Sequence, residues 1–119
     1  MKSCIDPDIL RRVVGNDSEL LREVLEDFVR HAQSQITSIH AAFADRDAEQ
    51  MKIPAHRLKG SAGLVGAYQV VEACTQLEAM AGASDWPLMQ SLMPRLDSLM
   101  QDIETSANAM LGLLPDPCA

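Results

Sequence analysis

The chain has 119 residues, enough for one domain with a usable core and too few for two ordinary domains. Its 17 Asp and Glu against 10 Lys and Arg give a net charge of −7, which argues against nucleic acid and anionic lipid surfaces as partners. Apolar residues make up 47% but aromatics only 3%; Leu, Met, Val, Ile and Ala therefore supply the apolar mass, a mixture that favours helix over strand.

Asp6-Pro7 opens a short first helix, with Pro at the first helical position, and Gly15 caps its end. Asn16-Asp17-Ser18-Glu19 starts a long second helix, Asn16 and Glu19 standing as a capping box with Asn in place of Ser or Thr. Apolar residues then recur at helical spacing from Leu21 through Val24, Leu25, Phe28, Val29, Ala32, Ile36 and Ile39 to Phe43. Asp45-Arg46-Asp47 is the turn. A third helix is expected over about 47–65, closed by Gly66, with Pro54 kinking or restarting it. A fourth covers about 67–81, with Val70, Val71, Cys74, Leu77 and Met80 on one side. Ser84 is the expected N-cap of a fifth, which starts near Asp85-Trp86-Pro87 and carries the stripe Leu88, Leu92, Leu96, Leu99, Met100, Ile103, Ala107 and Met110; Pro94 should bend it.

Four helices long enough to pack, joined by short turns, imply an all-α fold: an antiparallel four-helix bundle with a short additional N-terminal helix lying over one end. Residues 1–112 are read as the domain and 113–119, with two prolines, as a flexible C-terminal tail. Cys4, Cys74 and Cys118 form no C-x-x-C pair, and the odd count suits a reducing compartment; Cys74 reads as a small core residue. The N-terminus lacks an apolar signal core, and no window approaches the ~20 apolar residues of a membrane span. The expected location is the cytoplasm and the expected state a monomer.

The informative stretch is Pro54-Ala55-His56-Arg57-Leu58-Lys59-Gly60-Ser61-Ala62-Gly63-Leu64-Val65-Gly66-Ala67. On a helical wheel of about 100° per residue, Met51, Ala55, Leu58, Ala62 and Val65 fall together opposite His56 and form a core stripe. Lys52, Ile53, His56, Lys59, Gly60 and Gly63 occupy the other side. A glycine inside a helix costs about 0.5–1 kcal/mol relative to Ala. Gly60 and Gly63 lie one and two turns beyond His56 on its own face, where missing side chains clear space for a partner to approach the imidazole. The alternative, that they only allow close helix packing, conflicts with the wheel, which turns them away from the core.

Between Glu49 and Glu72 there is no acidic residue, while Lys52, Arg57 and Lys59 lie in that interval. An acidic chain thus concentrates positive charge around one histidine, which suits a phosphoryl group and a partner with an acidic active site, unless it is a chance solvated face. Neutral imidazole is a competent nucleophile near neutral pH, and its attack on a phosphoryl group gives phosphohistidine. Lys59 can set its ammonium near the phosphoryl oxygens; charge placement and alignment are most of what phosphoryl transfer asks of a protein. G-x-x-x-x-G-K-[ST] is absent, and Gly60, Gly63 and Gly66 do not follow a strand, so no nucleotide loop is visible and autokinase activity is not expected.

These residues resemble a known family. Ala55-His56-Arg57-Leu58-Lys59-Gly60-Ser61-Ala62, then Val65-Gly66-Ala67 and Cys74-Thr75-Gln76-Leu77-Glu78, look like the signature of histidine-containing phosphotransfer domains. The opening Ile5-Asp6-Pro7-Asp8-Ile9-Leu10, followed by Leu20-Leu21 and Phe28, is similar to the family's first two helices. The resemblance spans roughly residues 5–110. It implies a phosphorelay intermediate of two-component signalling: a phosphoryl carrier, not an enzyme, with no cofactor of its own. His56 would be the phosphoacceptor at Nε2, Lys59 would steady the phosphoryl group and Gly60 would give access. Ser61 would hydrogen-bond locally, and Glu78 matches a position that is often polar and near the histidine. Lys52, Ile53, Arg57, Gly63 and Leu64 would meet the partner. Partners would be receiver domains of response regulators and hybrid sensor histidine kinases, whose Asp and Mg²⁺ perform the transfer. Pro54 departs from the family pattern, which expects a helix former there.

Two rival readings have different consequences. His31 and His40 lie nine residues apart, on opposite sides of one helix, and cannot share a ligand; Phe28, Thr37 and Ile53 stand three residues before the three histidines, so the E-x-x-H pairs of a di-metal bundle are missing. A non-catalytic interaction module would use Ile53 and Leu64 purely as a docking patch and would not need to keep His56 and Lys59.

Overall fold

The structure is a computed structural model and describes residues 5–112. Five helices follow in order: α1 (Pro7–Val14), α2 (Ser18–Ala44), α3 (Ala48–Leu64), α4 (Tyr68–Gly82) and α5 (Trp86–Gly112). The connections 15–17, 45–47, 65–67 and 83–85 are too short to cross the bundle, so consecutive helices pack as neighbours. α2 packs on α3, α3 on α4, α4 on α5, and α5 back on α2, closing a four-helix bundle of 50 × 24 × 21 Å. α1 rests on α2 and α3. No helix among the described residues is long and apolar enough to cross a membrane. The proposed tail 113–119, Cys4 and Cys118 lie outside the described residues.

Capping residues set the helix starts. Asp6 Oδ1 accepts from the Asp8 N–H at 2.9 Å, ahead of Pro7. The cap of α2 is Asp17, not Asn16: its Oδ1 accepts from Leu20 N–H at 3.0 Å. That one-residue shift puts Glu19 at the second helical position, from which it cannot complete a capping box. Asp47 caps α3 in the same way, accepting from Gln50 N–H at 3.1 Å. Ser84 does not cap α5. It sits at φ 51°, and its N–H donates to Ala81 O, so it belongs to the turn that ends α4. Asp85 takes the capping role, its Oδ1 accepting from Leu88 N–H at 3.2 Å.

Neither proline breaks its helix. α3 runs unbroken through Pro54 and α5 through Pro94. An interior proline removes one backbone hydrogen bond and costs about 3 kcal/mol in an isolated helix. Here the neighbours of Pro54 hold the segment: Met51, Ala55, Leu58 and Ala62 are completely buried, and Pro54 itself is buried. Gln50, whose carbonyl lacks the Pro54 donor, lines with Pro54 and Arg57 a polar groove open to water.

That buried row is the stripe read from the wheel. Truncating one such residue, Leu58 to Ala, costs about 2–5 kcal/mol. α3 and α4 form the most extensive helix pair, and both helices bury small residues: Ala55 and Ala62 on α3, Ala73, Cys74 and Ala81 on α4. Small side chains permit close approach, which brings α4 beside the exposed ridge of α3.

Candidate functional site

α3 presents His56 to solvent from the middle of a helix whose back is sealed in the core. The His56 side chain is 73% exposed. Its ring does not stand alone. Glu78, from the last half of α4, places Oε1 3.6 Å from His56 Nδ1 and 2.9 Å from Lys59 Nζ. The first distance is too long for a hydrogen bond; the Glu78 carboxylate faces the Nδ1 side of the ring as a nearby charge. The contact with Lys59 is an ion pair. Glu78 Oε1 is inaccessible to water and makes no aligned hydrogen bond, so the lysine ammonium is what compensates its charge. Beneath the carboxylate lies Cys74, whose thiol is pushed up to about 12, chiefly by burial and then by the Glu78 charge, with Lys59 pulling the other way.

The glycines leave open ground. A Cβ built on Gly60 or on Gly63 would meet nothing within 4 Å, so neither is there for close packing. Ile53 is 47% and Leu64 61% exposed, unusually high for large apolar residues; they flank the histidine toward the two ends of α3. Lys52, Ile53, His56, Arg57 and Glu78 line one shallow depression around the ring. Ser61 Oγ donates within its own helix, to Arg57 O and Leu58 O, both at 3.2 Å, and does not point at the histidine.

The charge patch differs from the sequence expectation. Lys52 pairs with Glu49 at 3.4 Å and Lys59 with Glu78, so two of the three cations are already matched by carboxylates. Arg57 has no side-chain ion pair among the described residues. Counting acidic residues only between positions 49 and 72 overlooked Glu49 itself, one turn before Lys52, and Glu78, which only the register of α4 against α3 brings in. The i, i+3 spacing of Glu49 and Lys52 was a readable signal; the resemblance put Glu78 near the histidine but gave no sign of its ion pair with Lys59.

A second feature escaped the sequence reading. Val24, Phe28 and His31 of α2 form an apolar groove with Ser61, Leu64 and Val65, alongside the exposed Leu64. Among the described residues no three His, Cys, Asp or Glu side chains gather as a metal cluster. His31 is exposed, and His40 lies across the α2–α5 seam with Nε2 2.7 Å from Asp97 Oδ1.

Comparison with known proteins agrees with this fold. Virulence sensor protein BvgS of Bordetella parapertussis is 28% identical over 102 residues, a match that covers 84% of this chain but spans only 8% of that protein's length. The crystal structure of histidine-containing phosphotransfer protein B (HptB) from Pseudomonas aeruginosa superposes with a TM-score of 0.88 at 19% identity, covering 97% of this chain and all of that one; at that identity the likeness is one of fold. The Hpt domain family model matches residues 23–106, from α2 into α5 and across His56, Lys59, Gly60 and Glu78. The chain therefore belongs to the Hpt domain family, the histidine phosphotransfer domains of two-component phosphorelays.

Proposed function

We propose that His56 accepts a phosphoryl group from the aspartyl phosphate of one receiver domain and delivers it to the aspartate of another. The observation that carries this reading is the exposed ring with Nδ1 turned to Glu78. Nε2 attacks phosphorus with its lone pair; the bond from phosphorus to the aspartate oxygen breaks, and its electrons leave with the carboxylate. The ring then carries a positive charge, shared with the Nδ1–H that faces Glu78. In the return step a carboxylate oxygen of the second receiver attacks, the P–N bond breaks and its electrons go back to Nε2.

The family consists of phosphotransfer carriers, not enzymes with an ATP site, and its domains interact with receiver domains of kinases and response regulators. Mg²⁺ and the reacting aspartate are assigned to the partner. Lys59 is assigned to the phosphoryl oxygens, Gly60 and Gly63 to access, and Lys52, Ile53, Arg57 and Leu64 to docking. A monomer in the cytoplasm, where an unpaired thiol such as Cys74 stays reduced, completes the reading.

Incubation with a panel of phosphorylated receiver domains and Mg²⁺ tests it. Acid-labile label should move onto the native chain and not onto His56→Gln. Lys59→Ala should load more slowly but still load. Label persisting on His56→Gln rejects the assignment, and a native chain that takes no label from any receiver favours the pure docking module.

A further inference from the structure

We infer that Glu78 is a positioning residue that competes with the phosphoryl group for Lys59, so that the site is built to release its phosphoryl group as well as to hold it. The inference rests on His56 as the phosphoacceptor. In the resting site the Lys59 ammonium is already engaged by a carboxylate. It lies on Glu78 Oε1 at 2.9 Å, and the lysine side chain is only 29% exposed. Phosphorylation places new negative charge on Nε2, three residues before Lys59 on the same helix. The flexible four-carbon stem of lysine can carry its ammonium to those oxygens.

It cannot serve both anions at full strength. When Lys59 leaves, Glu78 Oε1 remains a water-inaccessible carboxylate oxygen, and the nearest positive group is the phosphorylated ring, with Nδ1 3.6 Å away. Glu78 therefore neutralises two cations in turn, the lysine before loading and the imidazole after it. The exchange sets a cost on the loaded state that a neutral side chain at position 78 would not. The charged groups around the ring are Lys52, Arg57 and Lys59 on α3 and Glu78 on α4; Lys52 is paired with Glu49 and Arg57 has no ion pair to give up among the described residues, so Lys59 is the cation drawn from Glu78.

A double-mutant cycle reads this directly. A receiver domain that loads the native chain is brought to equilibrium with it in Mg²⁺, and the phosphoryl partition between the two proteins is measured for the native chain, Lys59→Ala, Glu78→Gln and the double variant. Lys59→Ala should shift the partition away from His56 in both backgrounds. The shift should be roughly three- to fivefold larger in Glu78→Gln, where no carboxylate opposes the lysine, as expected for one partly exposed ion pair. An equal or smaller shift in that background overturns the competition. Absence of label on the native chain would instead refute His56 as acceptor, so the two failures are distinct. Should Glu78→Gln not fold, as judged by helical circular dichroism, lysine side-chain NMR of the native chain decides: the Lys59 Nζ signal moves on phosphorylation if the ammonium changes partner, and an unmoved signal overturns the inference.

Discussion

Gly60 stands one helical turn beyond His56 on the same exposed ridge of α3, and a Cβ added to it would touch nothing within 4 Å, the imidazole included. The gap is a cleared approach. Gly60→Gln should therefore leave the fold intact, and better helix propensity should raise stability by up to about 0.5 kcal/mol. Transfer from a receiver should slow by about tenfold or more, because a displaced reacting pair loses alignment. Thermal melts and rapid-mixing transfer assays check the two halves; normal transfer in this variant would remove access as the reason for the glycine.

Ile53 and Leu64 flank that approach and are exposed well beyond what stability needs. Ile53→Asp and Leu64→Asp should weaken receiver binding by about tenfold or more, the effect of losing an apolar anchor worth over about 1 kcal/mol. Loading from a small phosphoramidate donor, which needs no docking, should stay near the native rate. Calorimetric binding and donor labelling separate docking from chemistry.

Gly66 makes the other use of a missing side chain. It lies at φ 72°, and a Cβ there would overlap Asp6 Cβ and sit 3.2 Å from Asp6 N, which itself donates to Val65 O at 3.0 Å. The glycine lets the chain turn out of α3 and seats the start of α1 against that turn. Gly66→Ala should cost about 1–3 kcal/mol of stability, measured by urea denaturation, with His56 still open to labelling in the folded fraction.

Cys74 tests the packing under Glu78. Its thiol rises from an ordinary 9.0 to about 12 because the folded interior disfavours the thiolate. Below pH 9 the thiol is protonated whether the chain is folded or not. Between pH 9 and 12 the unfolded thiol ionises while the folded one stays neutral, so the unfolded state binds fewer protons and stability falls as pH rises. Cys74→Ala should flatten that part of the stability profile. In the folded native chain Cys74 should resist alkylation at pH 8, followed by mass spectrometry of its peptide, and become reactive on unfolding.

The sequence made one kind of information legible and hid another. The buried row Met51, Ala55, Leu58 and Ala62 and the exposed position of His56 follow from helical periodicity, which packing against α2 and α4 simply realises. The caps were harder. Asn16 and Asp17 are both good N-cap residues, and only the course of the chain into α2 selects the second; Ser84 and Asp85 pose the same choice at α5. Pro54 was expected to kink or restart α3; the helix does not restart there, because local propensity yields to the core on either side of it. The partners of the site cations were the least readable. Whether Lys59 faces solvent or Glu78 depends on how α4 registers against α3, which no pattern within α3 encodes.

Phosphorus–nitrogen NMR on the phosphorylated, nitrogen-labelled chain tests the central claim most directly. The account predicts one phosphorus coupled to Nε2 of His56, with Nδ1 still protonated toward Glu78. Phosphorus on Nδ1, or on His31 or His40, would contradict it.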